Sequence, residues 1–471
     1  MTSPIALGPW KGANNVLDEA ASAYAPPKQP SDPHPYLREA VNVDLDDEGY
    51  IRRRHGRRKL VELTNGHSLA SIGPWLLVMD GDTLQWVDTS MSPPTPRPLA
   101  GGLSPTPMCW AYAGGSAFGC NGVDLIRVDP GPGAKPWSVP PPAPPDLSPT
   151  SGNLPPGQYL VALSCVTADG REHGARRPEM ITLADTGGIQ VSIAGVSPTA
   201  DQINLYLSDT NGDLPYYHSS VSQGTSAVDL VSPAPTTDPI TVLGLAGPPP
   251  GVDRVASFGG RVLVAEGKAL YWSQPLAYHL FDWVRDVQLL PSRVTMIAPL
   301  NGGFYLADEQ SIYWVEGTDP TSWRPRFVLE ARSARGSPII LPERTLPQVD
   351  KPGTVTVWVT SDGLVAGAED GTVQLLHQGT LALDIYQRAS VLYRRHTGVR
   401  QLLAALDQPA QPNQLQATDR ADCVVTRVPR AGIYHTACAS DSAQGSVTVQ
   451  CQAAVNAYLG EHADCFVTNE E

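Results

Sequence analysis

Six of the chain's 33 basic residues fall within eight positions: Arg52, Arg53, Arg54, Arg57, Arg58 and Lys59. Clustered guanidinium groups grip carboxylate or phosphate in bidentate pairs. The segment therefore reads as a docking surface for an acidic partner or passing nucleic acid, set against the plainer reading of a solvated or internally paired strand face. Just before it, Asp44, Asp46 and Glu48 alternate and are followed by Gly49, as in a calcium loop. The twelfth position of that loop is His55, where a bidentate Glu is needed, so a solvated hairpin turn accounts for the same residues and no metal is expected.

Other catalytic and cofactor patterns are missing. The chain has no G-x-x-x-x-G-K-[ST] phosphate cradle and no H-E-x-x-H zinc helix, and Gly115-Ser116-Ala117-Phe118-Gly119 misplaces the serine of a nucleophile elbow. The seven cysteines, at 109, 120, 165, 423, 438, 451 and 465, are odd in number and contain no C-x-x-C pair. They read as thiols buried on strands and not as a disulfide framework or zinc site. No catalytic residue, no cofactor and no enzyme activity is expected. A propeller enzyme whose carboxylates converge from distant loops stands as a minor alternative.

The elements that would hold these residues follow from composition. The chain has 46 prolines and 43 glycines in 471 residues, and only 17% of its residues are charged. Both residue types are costly inside helices. With 41% hydrophobic residues the chain is too apolar for disorder, so they punctuate many short strands. A formal charge of −14 argues against a general nucleic-acid-coating role, which needs a basic surface to release counterions, and leaves room for a local basic patch. No stretch approaches the length of a membrane span, and the start, MTSPIALGPWKG, lacks the pattern of a signal peptide. Synthesis and folding in the cytoplasm are the expectation.

Residues 1–65 read as an arm followed by a hairpin, with strands at Ala40–Leu45 and Tyr50–Arg54. Strand–turn–strand units recur at Ile72–Val87, Cys109–Val128, Val255–Trp272, Met296–Val315 and Val355–Leu376. Units that cannot bury their own faces, repeated at roughly 40 residues, are what a β-propeller presents. Residues 66–139 and 251–385 are thus read as two propeller parts. Between them, 140–250 opens with the spacer PPPAPPD and closes with PPP, and holds six or seven short strands. Its pattern, "PPGQYLVALSCVTADGRE … ADQINLYLSDTNGD", resembles a fibronectin type III β-sandwich, with Tyr159 and Tyr206 at core positions. Residues 386–471 are read as β-rich, although Tyr386–Leu406 fits a helix or two strands around Thr397-Gly398. The fold class expected is all-β: a β-propeller with an inserted fibronectin type III-like sandwich.

Three pieces together resemble the tail nozzle (tail tubular protein B or tail hub) family of short-tailed bacteriophages. The first is Leu7–Asn15 (LGPWKGANN) with Leu37–Asp44 (LREAVNVD) and Gly49–Gly56 (GYIRRRHG). The second is Phe258–Val264 (FGGRVLV) with Leu270–Ser273 (LYWS) and Phe281-Asp282-Trp283. The third is Gly302–Leu306 (GGFYL) with Ser361–Val365 (SDGLV). These cover about half the chain, and the sandwich insertion and cysteine-bearing C-terminus depart from the family. The resemblance implies a structural virion protein at the head-to-tail interface: a homo-oligomer, taken as a hexamer, that docks to the portal and adaptor. Tail fibres are a further implied partner, and phage DNA would be retained and ejected through the lumen without sequence-specific binding. An acidic wall would leave DNA free to slide, with Arg52–Lys59 facing protein partners. The alternative is a phage fibre, baseplate or adhesin component whose inserted sandwich binds host glycan through Tyr216 and Tyr217.

Overall fold

The computed structural model describes residues 43–45, 51–53, 61–131, 133–342, 346, 351, 353–376, 388–396, 399–406, 420–428 and 433–439. Among the described residues every regular element is a strand, apart from one 3-10 turn at Pro320–Ser322. The protein is all-β and built from antiparallel sheets.

Among the described residues six sheets of four or five strands are made from consecutive strands, spanning 66–100, 109–136, 254–289, 296–330, 339–375 and 389–439. In each, strand follows strand outward, and the first strand lies beside the first strand of the next sheet. The 254–289 sheet opens on a two-residue hairpin whose Gly259 and Gly260 have φ of 55° and 72°, a pair of left-handed positions that glycine occupies without strain. The ambiguous 386–406 stretch forms two paired strands, Ala389–His396 and Val399–Leu406.

Shared cores join these sheets in chain order, and the period-2 geometry of a strand explains how. In Gly303–Ala307, Phe304 and Leu306 pack toward the 254–289 sheet, whereas Tyr305 and Ala307 pack toward the 339–375 sheet. Val262 and Val264 likewise face the 109–136 sheet while Leu263 and Ala265 face the 296–330 sheet. Val355, Val357 and Val359 meet the 389–439 sheet, with Trp358 on the opposite side. Burial on both faces is why RVLVAE, GFYLA and VTVWVT read as near-continuous apolar runs without polar alternation.

The strand–turn–strand units of the sequence coincide with paired strands but omit the first strands Gly66–Ile72 and Ile339–Leu341 and the outer strands Thr95–Ala100, Ala134–Pro136 and Arg326–Glu330, and Asp146–Leu154 was missed as well. Thr95–Ala100, Ala134–Pro136 and Asp146–Leu154 contain proline and lie at sheet edges, where a missing N–H costs no ladder bond.

Residues 146–230 form a separate unit of seven strands in two sheets. Strands 146–154, 187–192 and 227–230 make one; 179–183, 157–166, 202–208 and 215–222 make the other. One core, including Tyr159, Val161, Leu163, Ile189, Val191, Ile203 and Leu205, draws from both. Tyr159 is buried in it, and its hydroxyl donates to the Pro155 carbonyl at 2.8 Å. Tyr206 departs from expectation: it faces the other way, into a second core with Ala162, Ala175, Ile240, Val242 and Leu280. That core fastens the unit to the Ala277–Phe281 strand of the 254–289 sheet.

Candidate functional site

The singled-out basic cluster is described in part. Arg52 and Arg53 lie in the strand Ile51–Arg53, which pairs antiparallel with Val43–Leu45 so that Arg52 is opposite Asp44. Arg54, Arg57, Arg58 and Lys59 lie outside the described residues, as do Asp46, Glu48, Gly49 and His55. Ser116, in the false nucleophile elbow, donates to Asp129 at 2.7 Å. Cys109 and Cys120 oppose one another across a ladder, and both are free thiols, as is Cys165. Burial pushes the Cys165 thiol up to about 11 and that of Cys120 higher than its ordinary value, which keeps both protonated and unreactive. Cys423 and Cys438 fall in the last two strands; Cys451 and Cys465 lie outside the described residues. Tyr216 and Tyr217 are half-buried, and Tyr217 packs on Tyr206 at the edge of the second core.

Two polar clusters escaped sequence reasoning. The first is a seam where the 109–136 sheet, the inserted unit and the 254–289 sheet meet. Arg127, from the strand Leu125–Val128, lies 2.6 Å from Asp169 of the inserted unit and 2.9 Å from Asp129. Arg171 adds contacts to the same two carboxylates at 3.4 and 3.6 Å. Burial pushes the Asp169 carboxyl up, but the Thr167 hydroxyl and the Arg127 and Arg171 guanidiniums outweigh it and hold the group at about 2. Beside them the rings of His173 and His279 stand 4.8 Å apart. His279 Nε2 donates to the Glu172 carbonyl at 2.9 Å. The Glu172 carboxylate accepts from the hydroxyls of Ser164 and Tyr206. Trp137, fully buried, donates its indole N–H to the Tyr278 carbonyl at 2.9 Å.

The Ser138 hydroxyl lies 3.2 Å from His173 Nδ1, a spacing compatible with a nucleophile and its base. The same nitrogen accepts the Val139 N–H at 3.2 Å. Burial, and then the neighbouring His279, push the imidazole down to about 3, so it is a weak base at neutral pH. The seam's charged groups pair with one another.

The second cluster walls a cavity of about 290 Å³. Its lining includes Cys109, Asp253, Arg254, Arg293, Arg335 and Arg388, contributed from where the first strands of five successive sheets begin. Arg293 is paired to Asp253, and Arg335 Nη1 lies 3.7 Å from the same carboxylate oxygen. Arg254 donates from Nε to the Thr295 carbonyl at 3.0 Å and from Nη1 to the Asp253 carbonyl. Burial, and then Arg254 and Arg293, push the Arg335 guanidinium down to about 10. A signal was present in the sequence. Arg254, Arg293, Arg335 and Arg388 each open or closely precede the first strand of four successive sheets. The register shows only once the sheet boundaries are known, because no two of these arginines are close in the chain.

No family model matches the chain, and no curated protein matches it. Solved structures do. The BBS1N chain of a BBS1N–ARL6DN complex is similar over 75% of this chain and 93% of its own, at 10% identity and a TM-score of 0.29. Apo AztD from Citrobacter koseri is similar over 66% of this chain and 85% of its own, at 12% identity and a TM-score of 0.26. PorZ, a surface component of the type-IX secretion system of Porphyromonas gingivalis, covers 81% of this chain and 55% of its own, at 11% identity and a TM-score of 0.20. Likenesses at this level establish no function.

Proposed function

We propose that the chain is a non-catalytic structural subunit of the phage tail nozzle type. In this reading its six serial sheets form a β-propeller, and residues 146–230 form an inserted fibronectin III-like sandwich. Six copies would make the channel that retains and ejects DNA, docked to portal and adaptor proteins and to fibres, with Arg52–Lys59 on the protein-facing side.

One observation carries the reading: six sheets of consecutive strands, joined in chain order through adjacent first strands and shared cores. This is the arrangement in which blades pack on one another around an axis. The motifs behind the family resemblance have structural work within it. Gly259-Gly260 closes a hairpin, and Asp282 accepts the N–H groups of Val284 and Arg285 to shape the turn after Phe281. Trp283 donates to the Gly247 carbonyl at 2.8 Å, tying that turn to the end of the inserted segment. The seven strands in two sheets around one core, with connections crossing between sheets, fit a Greek-key sandwich.

Negative-stain imaging of the purified protein tests the assignment. Rings or tubes of six are the expected particles. Monodisperse monomers, or slender trimers of the kind fibres form, would overturn it.

A further inference from the structure

We propose that the arginine-walled cavity binds a phosphate-class oxyanion. The inference does not rest on the nozzle reading, because it follows from the balance of groups around the cavity. Four guanidiniums line it, and Asp253 is the one carboxylate among the described lining residues. Arg254, Arg335 and Arg388 are partly buried, and gathering like charges in a partly desolvated site without a counter-charge is unfavourable, since desolvation and mutual repulsion add. The repulsion is visible here: burial, Arg254, Arg293 and Arg388 all push the Arg335 guanidinium toward losing its proton, and Asp253 alone opposes them.

The donors are also underused. A guanidinium carries five N–H donors. Arg335 reaches Asp253 only at 3.7 Å, beyond hydrogen-bond length, and Arg388 makes no side-chain hydrogen bond or ion pair to any described residue. Asp253 does not satisfy all four arginines: Arg293 and Arg335 share its Oδ2, and its buried Oδ1 takes no hydrogen bond from any of them. A ligand that satisfies them must offer several acceptor oxygens at once and carry more than one negative charge. A tetrahedral phosphate or phosphate monoester does both, and its oxygens match the planar fork of arginine. A carboxylate offers two oxygens and one charge, and chloride offers no directional acceptors. The cavity, at about 290 Å³, admits a phosphoryl group on a small molecule as well as the free ion.

The arrangement is built into the fold. Arg254 opens a first strand, Arg293, Arg335 and Arg388 lie within four residues of the start of one, and Arg335 and Arg388 are joined by a backbone bridge. The site is pre-organised, so binding costs little ordering of the chain.

Titration calorimetry on the full chain tests the proposal, comparing inorganic phosphate, glycerol phosphate and chloride at equal ionic strength. Saturable binding of phosphate but not chloride is expected, and the glycerol phosphate arm separates a free-ion site from one that accepts an ester. Arg335→Gln and Arg388→Gln should each weaken binding by about tenfold or more. Asp253→Asn removes the competing carboxylate and should tighten binding, whereas arginines that exist only to clamp Asp253 would lose their arrangement and bind phosphate no better. Because a glutamine variant can fail to fold, a second readout uses the wild type alone. Cys109 is partly exposed on the cavity wall, so phosphate should slow its alkylation, followed peptide by peptide by mass spectrometry. Phosphate heats no larger than those of chloride, or Cys109 alkylation indifferent to phosphate, would overturn the proposal.

Discussion

At the seam, the Arg127 side chain is 3% exposed and sits between Asp129 and Asp169, with Arg171 and Lys135 on the outer side of the same carboxylates. At the cavity, four arginines gather around Asp253, and Arg293 remains 44% exposed at its side chain. The two regions use the same pair of functional groups. In the first, each buried charge has an opposite charge within ion-pair distance, and the cluster joins three pieces of the molecule. In the second, charge of one sign accumulates around an open volume. A buried pair that is complete holds structure together, and breaking it leaves a stranded charge. A partly buried cluster that is incomplete contributes little to the fold and is suited to an external counter-charge.

Removing Arg127 should produce the largest effect. Arg127→Ala removes the buried cation that bridges Asp129 and Asp169 and leaves them only the longer contacts of Arg171 and Lys135, and the expected loss is about 3 kcal/mol of unfolding free energy in urea titrations. A loss below about 1 kcal/mol would mean that the seam does not fasten the inserted unit, and the contrast with the cavity would collapse.

Acid should open the seam before it affects the cavity. The folded protein holds His173 at about 3 and His279 below the ordinary histidine value of 6.5, both because burial disfavours the imidazolium. The unfolded chain takes up these protons near pH 6.5 while the folded state refuses them. The stability these two groups contribute is therefore whole above about pH 6.5 and falls as pH drops from there toward 3. Asp169, held at about 2 against an ordinary 3.8, adds a further loss only below about pH 4. Urea midpoints measured from pH 7 to pH 4 should fall steadily, and His173→Gln should flatten part of that slope. A flat wild-type profile over this range would show that these histidines are not buried as a pair.

Most of the sheet architecture was legible because it rests on local rules. Apolar runs such as GFYLA, bounded by turns such as Asn301-Gly302, specify strands buried on both faces wherever they occur. The missed strands Thr95–Ala100 and Asp146–Leu154 broke those rules, since proline and serine are tolerated at an edge that no further strand covers. Tyr206 was legible as a strand residue but not as an interface residue, because the face it occupies depends on what docks there. The polar clusters were hidden for a related reason. Arg127 and Asp169 lie 42 positions apart and meet only because a complete unit is inserted between two sheets. The cavity arginines share a position within their sheets and have no common motif around them.

The smallest expected effect sharpens the comparison most. Arg335 differs from Arg127 in that its neighbours repel it: burial comes first, then Arg254 and Arg293, and its side chain is still 23% exposed to screening solvent. Replacing it with the neutral Arg335→Gln removes a charge that the folded state disfavours. In chloride buffer, stability should stay within about 1 kcal/mol of wild type and shift toward greater stability. In phosphate the order should reverse, because the wild type gains from ligand binding and the variant gains less. A chloride-buffer loss approaching that of Arg127→Ala would instead make Arg335 a clamp on Asp253, and the two regions would then be the same kind of fastener built at different depths.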